Sequence, residues 1–512
     1  MTTISIPKKR RHTRRRALPT GIQQPPWQSI RNPYPPAEIL SSDALEDIHH
    51  ASLSILEQIG IEILLPEAAE YFRQAGAHVT GTPARATFEP ELIEALVAQA
   101  PSQITLHARN PEHHVRLGGD HVTFGLVGSA PNVTDIEKGR RTGNRHDFCQ
   151  LLKLGQAFNI IHIIAGYPVE PVDLPPATRH LDALSDTLLL TDKAINAYSL
   201  GRERILDGIE MARIARGIDH ATFDREPSLL TVINANSPLR YDRPMLWGII
   251  EMAKRNQLVV ITPFTLAGAM SPITVAGSLA QQNAEALAGI ALCQIVRPGS
   301  PVMYGGFTSN ADMRSGAPAF GTPEYLKAAQ ITGQLARRYR IPYRSSNVNA
   351  ANSVDAQASY ESVFSLWGAI SGKAHLIKHG AGWLEGGLSA SYEKVALDAD
   401  LLQMVAAYLE PIQTDTESLA LDAIREAGPG GHFFGTAHTQ ERFENAFYQP
   451  MISDWRNFES WQEAGSPSAV EHANALYKRA LAEYTQPPMD SAIRDELADY
   501  VARRKAQGGV RD

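Results

Sequence analysis

A single rhythm dominates the chain from about residue 145 onward. Short β-branched apolar runs end in Gly, Asn, Ser or Pro, and each leads into an amphipathic helix. The runs are IIHIIAG (160–166), AINAYSLG (194–201), SLLTVINANSP (228–238), LVVITPFTLAG (258–268), PVMYGGFTSN (301–310), IPYRSSNV (341–348) and HLIKHGAGW (375–383). Helical patterns such as RERILDGIEMARIARG and TPEYLKAAQITGQLARRYR separate them. Continuous apolar strands alternating with helices dictate a parallel sheet buried on both faces. Seven units exceed what an open doubly wound sheet uses and fall one short of a closed (β/α)8 TIM barrel. VTFGLVG (122–128), feeding RHDFCQLLKLGQAF, or a segment after residue 400, supplies the eighth. The fold expected is therefore α/β, a (β/α)8 TIM barrel with an N-terminal helical/β subdomain and a C-terminal helical extension.

The flanks divide accordingly. Residues 1–36, with QQPPWQ and RNPYPP, read as an extended or disordered basic tail. Residues 37–128 read as the N-terminal subdomain: Ser42 or Asp43 caps LEDIHHASLSILEQIG, two Pro-initiated helices follow, and 104–128 alternates at period two like hairpin strands. Residues 129–400 form the barrel region and 401–512 a helical region completing it. GPGG (428–431) lacks the Lys-Ser or Lys-Thr of a phosphate loop, and is expected to close one end of the barrel. The apolar helix LAGIALCQIV (287–296) hints at subunit contacts and a homo-oligomer.

Charge and composition exclude several functions. The net charge is −7, and residues 8–16 alone carry seven positive charges, so the remainder is strongly acidic. An acidic body argues against nucleic-acid binding. The two cysteines, Cys149 and Cys293, build neither a disulfide framework nor a metal knuckle and suit a reducing cytoplasm. No apolar run of about 18 residues offers a membrane span.

Barrel chemistry gathers in the loops after the strands. Those loops carry Tyr198, Asn234, Phe264, Tyr304, Phe307, Arg344, Asn349, Lys378, His379, Trp383 and Glu385. Rings and neutral amides abound, whereas clustered acids are lacking. A glycosidase needs two carboxylates at the strand ends, and Glu385 has no evident partner. A zinc hydrolase needs several His there; His379 stands nearly alone, and no metal site is expected. Rings such as Tyr304, Phe307 and Trp383 suit a quaternary ammonium. Lys378 leaves open a Schiff-base lyase or aldolase.

GGFTSNADMRSGAPAFGTPEYLKAAQ (305–330), DAQASYES (355–362) and HGAGWLEGGLSASYEKVALDADLLQMV (379–405) resemble the trimethylamine methyltransferase family, the corrinoid-dependent MttB-like proteins. VTDIEKGRRT (133–142) and GPGGHFFGTAHT (428–439) agree with it, and the likeness covers about residues 40–480. The resemblance implies a TIM barrel whose mouth docks a separate corrinoid-binding protein. A methyl group passes from the substrate amine to Co(I) of that partner, so the cobalamin is supplied by the partner and no cofactor is held tightly by this chain. Archaeal trimethylamine enzymes carry pyrrolysine in the barrel, whereas this sequence has standard residues throughout. Family members without pyrrolysine include glycine betaine methyltransferases. A quaternary amine is therefore the expected methyl donor, glycine betaine foremost. Trimethylamine, another betaine, or a non-catalytic betaine-binding barrel stand as alternatives. For the betaine carboxylate, His379 is the first donor, and Asn349, Arg344 and Lys378 follow. Whether Arg344 points inward is open from sequence, and Lys378, adjacent to His379 on a strand, should face the opposite way.

Overall fold

The structure, a computed structural model, describes residues 21–510. Eight parallel strands close into a barrel: β1 (His121–Leu126), β2 (Ile163–Ile164), β3 (Ala194–Asn196), β4 (Leu229–Ile233), β5 (Leu258–Ile261), β6 (Val302–Gly305), β7 (Tyr343–Ser346) and β8 (Leu376–Ala381). They pair in sequence order, and β8 returns to β1 through Leu376↔Thr123 and Ile377↔Phe124. VTFGLVG is thus the first strand of the barrel, and no strand after residue 400 is used. The segment before it is not a free tail either: Ile30–Arg31 pairs antiparallel with β1. The basic stretch at 8–16 lies outside the described residues.

Each strand is followed by its return helix: α1 (Arg145–Ala157), α2 (Arg179–Leu190), α3 (Arg202–Arg216), α4 (Arg243–Lys254), α5 (Val275–Val296), α6 (Pro323–Tyr339), α7 (Ala356–Ser371) and α8 (Tyr392–Tyr408). Side-chain caps start most of them. Asn144, Asp242, Thr274, Thr322, Asp355 and Ser391 each accept from a backbone N–H of the first turn, worth ~1 kcal/mol apiece. Inside the barrel, Ile163, Ala194, Leu230, Leu258, Met303 and Leu376 form one apolar cluster with Ile104, Leu106, Val115 and Leu117. The last four belong to a hairpin, Ile104–Leu106 with Val115–Leu117, that plugs the N-terminal end of the barrel.

The N-terminal helices Ser42–Ser54 and Pro90–Val97 pack on α5, and Asn283 of α5 donates to Ser52 Oγ at 2.9 Å. This explains why α5 is apolar on every side: barrel strands cover one face and helices of the same chain the other. The apolar stretch 287–296 therefore marks an internal contact rather than a subunit interface. The C-terminal helices Ala469–Ala482 and Ser491–Ala506 pack outside α8, α1, α3 and α2. Arg504 pairs with Asp207, and Lys505 with Asp182. They brace the helical ring and add nothing to the sheet. Residues 429–431 of the GPGG turn are solvent-exposed. No helix among the described residues is long and apolar enough to cross a membrane.

Candidate functional site

Strand alternation sorts the inward side chains. Leu376, Leu258 and Met303 face the interior cluster, so Lys378, Val260 and Gly305 share their face. Arg344 is in register with Gly305 and Leu376, and Lys378 with Ser346. Both cations point into the barrel. Arg344 is 2% and Lys378 4% exposed, and among the described residues no carboxylate pairs with either. Arg344 Nε and Nη1 have no hydrogen-bond partner, and neither do the side-chain atoms of Asn196, Thr262 Oγ1 or Ser346 Oγ. Burial holds Arg344 down at about 10. Burial and the Arg344 charge bring Lys378 down to about 7. Val232 packs against this interior but is only partly buried, and Asn234, two residues on at the end of β4, is exposed. The well is thus open to the mouth at β4.

Above the two cations lies a cluster of rings. The Phe307 centroid stands 5.2 Å from Phe264, 5.5 Å from Phe320, 6.2 Å from Trp383 and 6.3 Å from His379. The Arg344 guanidinium lies 5.1 Å from the Phe307 centroid. Trp383 and His379 are closest, at 4.2 Å, and the Trp383 indole N–H is unpartnered.

A break in β8 carries His379, and Trp383 follows just beyond the strand. The β8–β1 register shifts between Ile377 and Ala381, and His379 takes a left-handed backbone with φ 57°. A β-bulge sends neighbouring residues to one side. Lys378 and His379 therefore both reach the barrel end, where simple alternation would oppose them. Positive φ in a non-Gly residue is strained and concentrates at functional sites. Two glycines allow the turn beyond. A Cβ on Gly382 would meet Val395 at 2.6 Å, and one on Gly387 the Trp383 ring at 2.6 Å. A fully buried ion pair, Lys394–Asp398, fixes the loop: Asp398 Oδ2 accepts from Gly382 N–H at 2.9 Å, and Lys394 Nζ donates to Ser362 at 2.8 Å.

His379 is neutral. Burial, then Lys378 and Arg344, push it well below the ordinary histidine range. Its Nδ1 accepts from Gly128 N–H at 3.2 Å, which leaves Nε2–H as a donor. Its environment thus supplies a hydrogen bond, not a charge.

Other expected residues lie elsewhere. Tyr304 faces outward, where its hydroxyl donates to Asn283 of α5 at 2.9 Å and its ring packs on Tyr339; strand alternation opposes it to Met303. Asn349 is buried beneath the loop and donates to Trp383 O at 2.9 Å, so it positions the indole rather than facing the well. Glu385 is at the rim, paired with Arg140 at 2.9 Å. Tyr198 stands across the mouth, bonded to Ser129 Oγ at 2.7 Å and to Tyr167 N–H at 3.0 Å. With Tyr167, Glu170 and Arg179 it lines a cavity of about 230 Å³ beside α2 and α3. Phe264, Phe307, Trp383, His379 and Arg344 are brought together. Sequence reasoning missed Phe320, whose segment carries no strand signal, and the inward-facing Asn196, Thr262 and Ser346, which strand register alone reveals.

Among the described residues no three His, Cys, Asp or Glu side chains converge as metal ligands. The thiols are not activated: burial and Asp186 push Cys149 up to about 12, and Cys293 is fully buried.

Comparison with known proteins places this geometry in context. A glycine betaine methyltransferase of Desulfitobacterium hafniense (strain Y51) is 36% identical over 476 residues, 93% of this chain and 98% of that protein. The trimethylamine methyltransferase MttB of Desulfitobacterium hafniense (strain DSM 10664 / DCB-2) is 29% identical over 475 residues, 92% of this chain and 94% of that one. The trimethylamine methyltransferase MttB of Methanosarcina barkeri is 27% identical over 471 residues, 90% of this chain and 94% of that one. The family model described as trimethylamine methyltransferase (MTTB) matches residues 7–509, and the chain belongs to that methyltransferase family.

Proposed function

We propose that this methyltransferase takes a methyl group from a quaternary amine bearing a carboxylate, glycine betaine foremost, and delivers it to Co(I) of a corrinoid carried by a separate protein at the barrel mouth. One observation carries the reading: two buried cations, Arg344 and Lys378, lie unpaired beneath a cluster of aromatic rings. Buried charges are costly unless paired, and no acid among the described residues answers these two. A carboxylate does. The rings above then hold the ammonium by cation–π attraction, ~0.5–2 kcal/mol for each ring engaged. The substrate is thus oriented tail-down, with a methyl toward the mouth. The relative named as a glycine betaine methyltransferase supports the same substrate class.

The chain's part in the reaction is binding, alignment and exclusion of water. The electron pair of the breaking C–N bond returns to nitrogen, and the methyl carbon takes its new bond from the cobalt acceptor. The leaving group is a neutral tertiary amine, so no general acid is required at that step. Neutral His379 and the lack of a carboxylate paired with Arg344 or Lys378 among the described residues suit this chemistry. Fixing the C–N axis along the barrel supplies the in-line approach.

The test mixes the pure protein with a Co(I) corrinoid protein and a panel of methylated amines, followed by the cobalt absorption change. Methylation with glycine betaine and none with trimethylamine is the expected result. Methylation from trimethylamine alone overturns it.

A further inference from the structure

Residues 411–447 leave the end of α8 and fold back only at Tyr448, whose hydroxyl bonds to Asp400. Three helices of four to seven residues lie within this arm, Thr416–Leu419, Leu421–Ala427 and Ala437–Arg442, and together they bury one residue, Ala423. Helices this short do not stand without tertiary packing. Several polar ties run within the arm: Arg442 pairs with Glu417 and Glu441, Arg425 with Asp422, and Asp415 caps the first helix. Yet the arm is rich in large apolar groups. Ile412 is 87% exposed, Phe434 82% and Phe447 76%, with Phe433 and Phe443 also in solvent.

A matching uncovered surface lies at the arm's root. The outer faces of α7 and α8 form an apolar groove lined by Val363, Trp367, Met404 and Tyr408, with Trp367 62% and Tyr408 60% exposed. At ~200 Å² per aromatic side chain, the exposed rings of the arm, the groove and the following segment to Phe458 leave ~1,000 Å² uncovered. A monomer's largest apolar patch is ~300–600 Å², whereas a stable interface needs ~800 Å² per partner. The area is that of an interface, and arm and groove are continuous through α8.

We infer that the arm at 411–447 of one chain lies in the α7/α8 groove of a second copy, which returns its own arm in an isologous exchange. A two-fold contact of this kind satisfies both surfaces at once. The acidic, polar composition of residues surrounding the arm's rings leaves the rings themselves as anchors, as in other interfaces where aromatics dominate.

Sedimentation of the full chain tests this. The expected result is an assembly of at least two chains at ~10 µM, a concentration chosen because a standard interface binds at or below micromolar. Phe434→Asp, in a segment with no core to disrupt, should weaken self-association at least 100-fold, and Trp367→Arg should do the same. A chain that sediments as a monomer, or an assembly indifferent to Phe434→Asp, overturns the proposal. Separately purified Trp367→Cys and Phe434→Cys chains, mixed with a short bis-maleimide, should give a cross-linked pair. A doubly substituted chain that cross-links only to itself places the arm in its own groove and also overturns the proposal.

Discussion

Replacing Arg344 with Met separates a zwitterion site from a simple cation site, because the two ligand classes should move in opposite directions. Arg344 is 2% exposed, lacks an acidic partner and reaches to 5.1 Å from the Phe307 centroid. A carboxylate bonded to it at ~2.8 Å leaves a quaternary nitrogen, two bonds of ~1.5 Å further along, about 6–7 Å from the guanidinium carbon. Removing one member of a desolvated, hydrogen-bonded charge pair costs ~2–5 kcal/mol, so the glycine betaine Kd should rise by roughly 30- to 5,000-fold. Tetramethylammonium has no carboxylate and meets only repulsion from Arg344. At 6–7 Å and an effective dielectric constant of ~20 that repulsion is ~2.5 kcal/mol, and its loss should tighten tetramethylammonium by up to about 70-fold. Titration calorimetry of both ligands against both proteins reads the result. Parallel loss for the two ligands would refute the assignment of Arg344 to a carboxylate.

Lys378, brought down to about 7 by burial and by Arg344, makes ligand binding pH-dependent. Glycine betaine prefers the protonated amine, so its Kd should rise toward tenfold per unit above pH 7, while tetramethylammonium tightens; Lys378→Met should flatten both profiles. The sign for folding follows from the same shift. Between about 7 and the ordinary 10.5 the unfolded chain holds a proton that the folded one lacks, so Lys378→Met should remove a rise of stability with pH across that window, measured by denaturant midpoints. Phe320→Ala and Trp383→Ala each open the ring cluster and should weaken both ligands by ~1–3 kcal/mol, since each aromatic wall also excludes water; unchanged calorimetric affinity removes that ring from the site. Asp398→Asn leaves Lys394 buried without its counter-ion, at a cost of ~3–5 kcal/mol. In a chain this long it should lower Tm by about 3–5 °C, and an unchanged melting curve contradicts the structural role of the pair.

The barrel was legible because its signal is repeated: buried strands are short apolar runs, and the helices between them carry the 3.6-residue period. The first strand was harder, since VTFGLVG follows a hairpin whose alternation it continues. The site divided along similar lines. Phe264, Phe307 and Trp383 follow strand ends, and strand-end position alone placed them at the mouth. Tyr304 was misplaced because it precedes the strand end by one residue, and one residue reverses the face. Arg344 and Lys378 could be found but not oriented. The inward pointing of Arg344 depends on its register with Gly305 and Leu376, and the shared orientation of Lys378 and His379 depends on a bulge that no residue type announces. Asn349 looks like a site residue in sequence and acts instead, like the Lys394–Asp398 pair, through the backbone of the loop.

Placing cations beneath an ammonium has a consequence for rate. Rings that hold a quaternary nitrogen stabilise the substrate, and that stabilisation is lost as the methyl departs and nitrogen becomes neutral. By themselves the rings would oppose the reaction. Arg344 acts in the other sense: its ~2.5 kcal/mol repulsion of the ammonium at 6–7 Å is present before transfer and vanishes after it. Carboxylate binding offsets this repulsion in the complex, so the strain is carried by the end of the substrate that does not react. If half of the charge has left nitrogen at the transition state, about half of the repulsion is released there, a factor of roughly 8 in rate. Arg344→Met should therefore lower kcat by about that factor in addition to raising KM, and for tetramethylammonium it should tighten binding while slowing single-turnover demethylation. An unchanged single-turnover rate at saturating substrate would confine Arg344 to binding and deny it a part in the barrier.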